Sequence, residues 1–198
     1  MKVMQQPTVQ HIIEPVQGDI SRIDGILREV SRLEHPMLQQ AIEAIIGAGG
    51  KRLRPAVLFL VAKFGRYEVE YLVPMAAAIE LLHTASLVHD DTIDRALKRR
   101  GLPTLNSVMD AGTTVLVGDY LFAKSAVLST MGGKLRATRI FAEALATISE
   151  GEIAQKFALH HVTTSMDQYL KRIYSKTASL FAAAGEIGAV LSEAPEDD

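Results

Sequence analysis

Residues 71–88 run almost without a polar side chain, interrupted strongly only by Glu80 and His83, and then meet Asp90, Asp91 and Asp94. A stretch this apolar on every side must be buried on every side. It therefore predicts a central helix around which the other elements pack. At 100° per residue, Asp90 and Asp94 fall on one stripe with Asp91 beside them, so all three are expected to point into one cavity. His83 lies seven residues before Asp90, two turns down the same stripe. Acids this close repel one another unless a cation compensates them. Hard divalent ions such as Mg²⁺ take carboxylate oxygens and keep positions open for substrate phosphates. An acidic cluster alone reads equally as a solvated helix end, so its surroundings decide.

The surroundings are helical. Apolar residues at Val16, Ile20, Ile23, Ile26, Leu27, Val30 and Leu33 recur at threes and fours. Pro36 opens a second helix over 36–46, which Gly47, Gly49 and Gly50 stop. Further helices are predicted over 54–64, from 68 through the acids, and over 113–131, 134–160 and 165–191, with a loop at Gly101 and Pro103. No β-branched run alternates with polar residues. The expectation is one all-α domain over residues 1–198, a bundle of long, mostly antiparallel helices around a central cavity.

Composition narrows the function. A net charge of −2 gives no reason to expect nucleic-acid binding. The absence of cysteine excludes disulfides and thiolate metal sites. No run of 18 or more uncharged apolar residues occurs, so no membrane-spanning helix is expected, and the first residues lack a signal-peptide pattern. The expected location is cytoplasmic.

Two basic clusters accompany the acids. In Gly49-Gly50-Lys51-Arg52-Leu53-Arg54-Pro55, two glycines free the backbone and cations follow at a helix start, so Lys51 and Arg54 are expected to converge on a diphosphate. Lys98-Arg99-Arg100 lies just past the acids, where cations neutralise the far side of a metal-bound diphosphate. His89, His160 and His161 read as surface or capping residues, and Asp119 as equally structural or functional.

GGKRLRP, HTASLVHDDTIDRALKRRGLPTLN, GDYLFAKS, EGEIAQ and YLKRIYSKTASLF, in that order over residues 16–189, resemble the signature of the trans-type isoprenyl diphosphate synthases, or polyprenyl synthetases. The resemblance implies a prenyltransferase that condenses isopentenyl diphosphate with an allylic prenyl diphosphate. It implies that Asp90, Asp91 and Asp94 hold Mg²⁺ against the allylic diphosphate, which Arg99 also contacts. Lys51, Arg54, His83 and Arg100 would form the isopentenyl diphosphate site. Lys176 and Thr177 would face the ionising allylic group, and Gln155 would sit beside the metal-bound diphosphate. It further implies a homodimer. Bulky aromatics one turn before the acids stop chain growth in the family. Here Ala85 and Ser86 are small, so a long-chain product is expected, with Leu82 and Phe122 as a deeper floor.

Two other functions fit less well. A non-catalytic or regulatory partner subunit of a heteromeric synthase would be expected to have lost these motifs. A terpene cyclase has no use for Lys51, Arg54 and His83. The family's second aspartate-rich motif is not matched by the SEAPEDD end, so the chain reads as the first part of a longer synthase. These 198 residues alone are accordingly expected to give no turnover with farnesyl diphosphate, labelled isopentenyl diphosphate and Mg²⁺. Long labelled product from a chain of verified 21.6 kDa mass would overturn that expectation.

Overall fold

The structure, a computed structural model, describes residues 9–48, 50–158 and 165–195. The expectations for Gly49, His160, His161, the end of the 134–160 helix and the acids from Glu196 onward fall outside these residues. The described residues are all-α apart from one very short hairpin.

Helix α5 (Val69–Ile93) is the axis of the molecule, and from Leu72 to Leu82 only Pro74 escapes full burial. Helix α1 (Val9–Ile13) and a 3₁₀ turn (Glu14–Val16) lead into α2 (Gln17–Ser31), whose Ile20, Ile23, Leu27 and Val30 form a buried stripe facing α5. Helices α3 (Pro36–Gly47) and α4 (Leu53–Ala62) follow. Strands β1 (Lys98–Arg99) and β2 (Leu102–Pro103) and helix α6 (Leu105–Val108) connect α5 to α7 (Ala111–Thr130), its most extensive neighbour. Helix α8 (Leu135–Ala158) and helix α9 (Met166–Ile173) come next. A π-helical turn (Tyr174–Ala178) then leads into α10 (Ser179–Ser192), which packs on α4 and α8. Tyr120 of α7 donates a hydrogen bond to the Val30 carbonyl at 2.8 Å, and Tyr67 reaches Asp19 at 2.5 Å.

Two local features depart from the sequence expectation. The loop after α5 is an antiparallel hairpin whose two turn residues, Arg100 (φ 52°) and Gly101 (φ 83°), both lie at positive φ. A two-residue hairpin turn of the primed kind requires this. The last predicted helix is not uniformly α-helical, because the π turn widens it at Tyr174–Ala178. Helix α5 is, by length and composition alone, apolar enough to cross a membrane, although Glu80 and His83 interrupt its run. Here it forms the buried core.

Helices α4 and α10 meet backbone to backbone. A Cβ on Gly188 would overlap the carbonyl of Leu58, whereas one on Gly185, a turn earlier, would find Val57 and Val61 methyls at 3.8 and 3.9 Å. Gly188→Ala should therefore destabilise the fold by about 1–3 kcal/mol through overpacking. Gly185→Ala should be neutral or stabilise by up to about 1 kcal/mol through helix propensity. Thermal denaturation of both variants checks the contrast; equal shifts would mean that the crossing is not this close.

Candidate active site

The end of α5 distributes its acids over two flanks. Asp91 is buried and accepts a fork from Arg99, with Nε 2.8 Å and Nη2 2.9 Å from its two oxygens. Asp90 faces the other way, toward Lys176 at 3.5 Å. Asp94 closes the helix and is exposed. All three carboxylates act on Arg99, which the hydrogen-bonded fork to Asp91 and the nearby charges of Asp90 and Asp94 hold above its usual pKa. No group of three or more ligating side chains occurs among the described residues.

On the Asp90 flank the packing is set by a glycine. A Cβ on Gly151 of α8 would lie 2.5 Å from the Ser175 Cβ, so only glycine lets the π turn settle against α8. That contact brings Lys176 within 2.7 Å of Glu152. Burial, with Glu152 facing it and Asp94 nearby, raises the Asp90 carboxyl above its usual range, while Lys176 opposes the rise. Gln155 is half-buried one turn beyond Glu152, and Thr177 is exposed on the π turn. Asp90, which Lys176 faces at 3.5 Å, and Asp94 stand one turn apart as hard oxygen donors. This fits a Mg²⁺ ion held by one or two carboxylates with its other positions open.

Beside α5 lies an open cavity of about 360 Å³ whose wall includes Glu80, His83, Thr84, Leu87, Val88 and Asp91. Arg52, the residue before α4, sits at φ 50° and lies within 2.7 Å of buried Glu80 and 3.5 Å of Asp24. Within GGKRLRP, Arg52 is held in the left-handed region. A Cβ on Gly50 would come 3.0 Å from the Arg100 guanidinium, which would have to shift slightly. Arg100 also donates to the Ala48 carbonyl at 3.1 Å. His83 is pushed down to about 3 by burial and by the charges of Arg54, Arg100, Arg99 and Arg52, so it is neutral.

Arg54 lies over the Phe181 ring at 4.5 Å, and its buried Nε has no hydrogen-bond partner among the described residues. Burial lowers its pKa, with Glu80 opposing. Lys51 does not join it. It is exposed and lines a groove of about 850 Å³ with Asp24 and Arg28, which shares Gly50 and Arg52 with the cavity beside α5. Lys51 and Arg54 thus stand apart, because Lys51 precedes the left-handed turn at Arg52 and Arg54 lies inside α4.

Other expectations also shift. His89 is not a surface cap. Its Nε2 lies 3.2 Å from the Val115 carbonyl, and its ring packs on bare Gly118 and at 5.1 Å from Phe122. Exposed Asp119 approaches the same nitrogen at 3.5 Å. Phe122 thus stands level with the acids instead of forming a floor below them. Ala85 is fully buried, and Ser86 donates to the His83 carbonyl at 2.8 Å within the helix. The cavity beside α5 opens on the flank away from both. Sequence reasoning missed Arg52, Glu80 and Glu152 as site residues. A lone acid in an all-apolar helix signals a buried partner, and Glu152 stands one helical turn before Gln155.

The polyprenyl synthetase family profile matches residues 35–198. Heptaprenyl diphosphate synthase component 2 of Geobacillus stearothermophilus is 38% identical over 91% of the chain and 57% of its own length. Among solved structures, a decaprenyl diphosphate synthase from Rhodobacter capsulatus superposes with a TM-score of 0.90 at 41% identity, over 95% of this chain and 58% of its own. A polyprenyl synthase from Caulobacter crescentus, complexed with calcium and isoprenyl diphosphate, superposes equally well (TM-score 0.90) at 33% identity, over 96% and 58%. The chain thus spans less than three fifths of the length of these relatives. With the motifs in order and the bundle fold in place, the chain belongs to the polyprenyl synthetase family.

Proposed function

We propose that the two flanks of α5 bind the two substrates of a prenyl transfer, isopentenyl diphosphate on one and an allylic prenyl diphosphate on the other. The observation that carries this reading is Arg54. Its Nε is buried without a partner, and a buried unsatisfied donor costs about 1–3 kcal/mol. An anion delivered there, within reach of Arg100 and neutral His83, removes that cost. Lys51 joins this site only by turning in from its groove. Family membership and the names of the relatives support prenyl transfer as the reaction.

On the other flank, Asp90 and Asp94 would hold Mg²⁺ with Glu152 close by. The ion, when bound, supplies positive charge against the departing diphosphate. Lys176 and Arg99 stabilise the same developing charge, Gln155 stands beside it, and Thr177 faces the ionising group. The allylic C–O bond breaks, its electron pair leaving with the diphosphate. The double bond of isopentenyl diphosphate then forms the new C–C bond to the allylic carbon, and a proton from the adjacent carbon leaves to the released diphosphate. No side-chain nucleophile enters this scheme. Asp91 positions Arg99 instead of binding metal directly. The small side chains at Ala85 and Ser86 support a long-chain product. Exposed Leu116 and Val127 on the outer side of α7 support pairing of two copies. A second reading, a subunit that works with a different partner chain, is favoured by the likeness to a relative named as component 2.

Calorimetric titration of isopentenyl diphosphate tests the reading. Arg54→Ala should weaken binding roughly 10- to 100-fold, as loss of a charge-assisted hydrogen bond implies; unchanged affinity would sink the assignment. The neutral His83 adds a second check. In the unfolded chain it takes a proton near pH 6.5, but in the fold only at about 3. Between those values the unfolded state binds more protons, so this contribution to stability is present above pH 6.5 and is lost as pH falls through the window. Urea midpoints should fall more steeply from pH 7 to 4 for the unaltered chain than for His83→Gln; parallel curves would contradict a buried, neutral His83.

A further inference from the structure

Asp90 and Glu152 share one ammonium group. Lys176 donates to a Glu152 oxygen at 2.7 Å and lies 3.5 Å from an oxygen of Asp90. Both carboxylates are half-buried, whereas Lys176 is open to solvent. Burial and the charge of Glu152 both push the Asp90 carboxyl up, so the two acids face each other and the lysine answers both. Lys176 is the cation that Glu152 pairs with among the described residues. The fold fixes the lysine's place. It sits in the middle of the π turn, whose Ser175 packs on bare Gly151, the residue before Glu152. Such turns recur at functional sites. Here the turn sets the ammonium nearer to Glu152 than to Asp90, so one positive charge leans away from a carboxylate that faces more negative charge than it can match.

We propose that Glu152 is a positioning residue: it holds Lys176 in reserve, so that the lysine gives up Asp90 to a divalent cation and yet stays in the site. This rests on the reading of Asp90 and Asp94 as the metal carboxylates, and it deepens that reading. Without Glu152 the ammonium pairs with Asp90 alone and competes for one of those two carboxylates. With Glu152 it withdraws to a second acceptor when another cation repels it. An ammonium has three donors, and Glu152 engages one of them. The others are left for a diphosphate oxygen. Lys176 is therefore offered to the departing diphosphate only after another cation has taken Asp90, which couples ionisation of the allylic substrate to metal loading.

The test is a double-mutant cycle on Mn²⁺ affinity, read without diphosphate by electron paramagnetic resonance of the free ion. Lys176→Gln should tighten Mn²⁺ binding by about tenfold, the scale of one charge-assisted hydrogen bond, because a competing cation is gone. Glu152→Gln, which is isosteric, should weaken binding by about tenfold in the unaltered chain, because Lys176 then falls back on Asp90. In the Lys176→Gln background the same substitution should change affinity by less than about threefold. Glu152→Ala, which removes the acceptor altogether, should repeat both results. A Glu152 that ligates the metal itself, or acts through its charge alone, weakens binding equally in both backgrounds. Equal decrements therefore overturn the positioning role and leave Asp90 and Asp94 as metal carboxylates. If neither the unaltered chain nor Lys176→Gln binds Mn²⁺, the metal reading falls, and the role of Glu152 falls with it.

Discussion

The ion pair between Arg52 and Glu80 anchors the cationic half of the site to the axis of the fold. Both side chains are largely withdrawn from water, and the guanidinium also reaches Asp24 and the Ile46 carbonyl. Buried ion pairs contribute little net stability, yet removing one partner costs roughly 3–5 kcal/mol because a buried charge is left alone. That asymmetry lets a strained residue persist: Arg52 sits at positive φ with its guanidinium on Glu80. Once Arg52 is pinned, the start of α4 is fixed, Arg54 is committed to the Phe181 side, and Gly50 lies where Arg100 can cross it.

Helix α5 then acts as a partition. Asp91 and His83 line a cavity with Arg52, Arg99 and Arg100, while Asp90 meets Lys176 and Glu152. The same short hairpin supplies both flanks. Arg99 folds back on Asp91 and Arg100 turns toward Gly50, since the tight turn sends adjacent side chains to different sides. Glycines without side chains at the helix contacts, Gly118 under His89 and Gly151 against Ser175, let the elements approach closely enough to set these distances.

The helices were legible in the sequence because each signal was local. The apolar stripe of α2, the proline at the start of α3 and the uninterrupted burial pattern of α5 each depend only on neighbours a turn away. The β1–β2 hairpin was hidden because its determinant, positive φ at a non-glycine residue, leaves no mark in composition. The π turn was equally hidden, since its cause is a contact between Ser175 and Gly151, distant in sequence. The chemistry-bearing residue types were also legible, as charges that an apolar chain has no other reason to hold.

What the sequence determined by itself was an all-α bundle, its central helix, and which acids and cations stand at the ends of that helix, because periodicity and residue chemistry are properties of the chain. What the tertiary structure alone decided was the pairing among them: Arg99 with Asp91, Arg52 with Glu80, Lys176 with Glu152, Arg54 left with an open donor, and Lys51 turned to another groove. Such pairings depend on which side chains packing brings within about 4 Å, where Coulomb attraction in a low-dielectric setting outweighs the alternatives. No spacing rule along the chain encodes that distance.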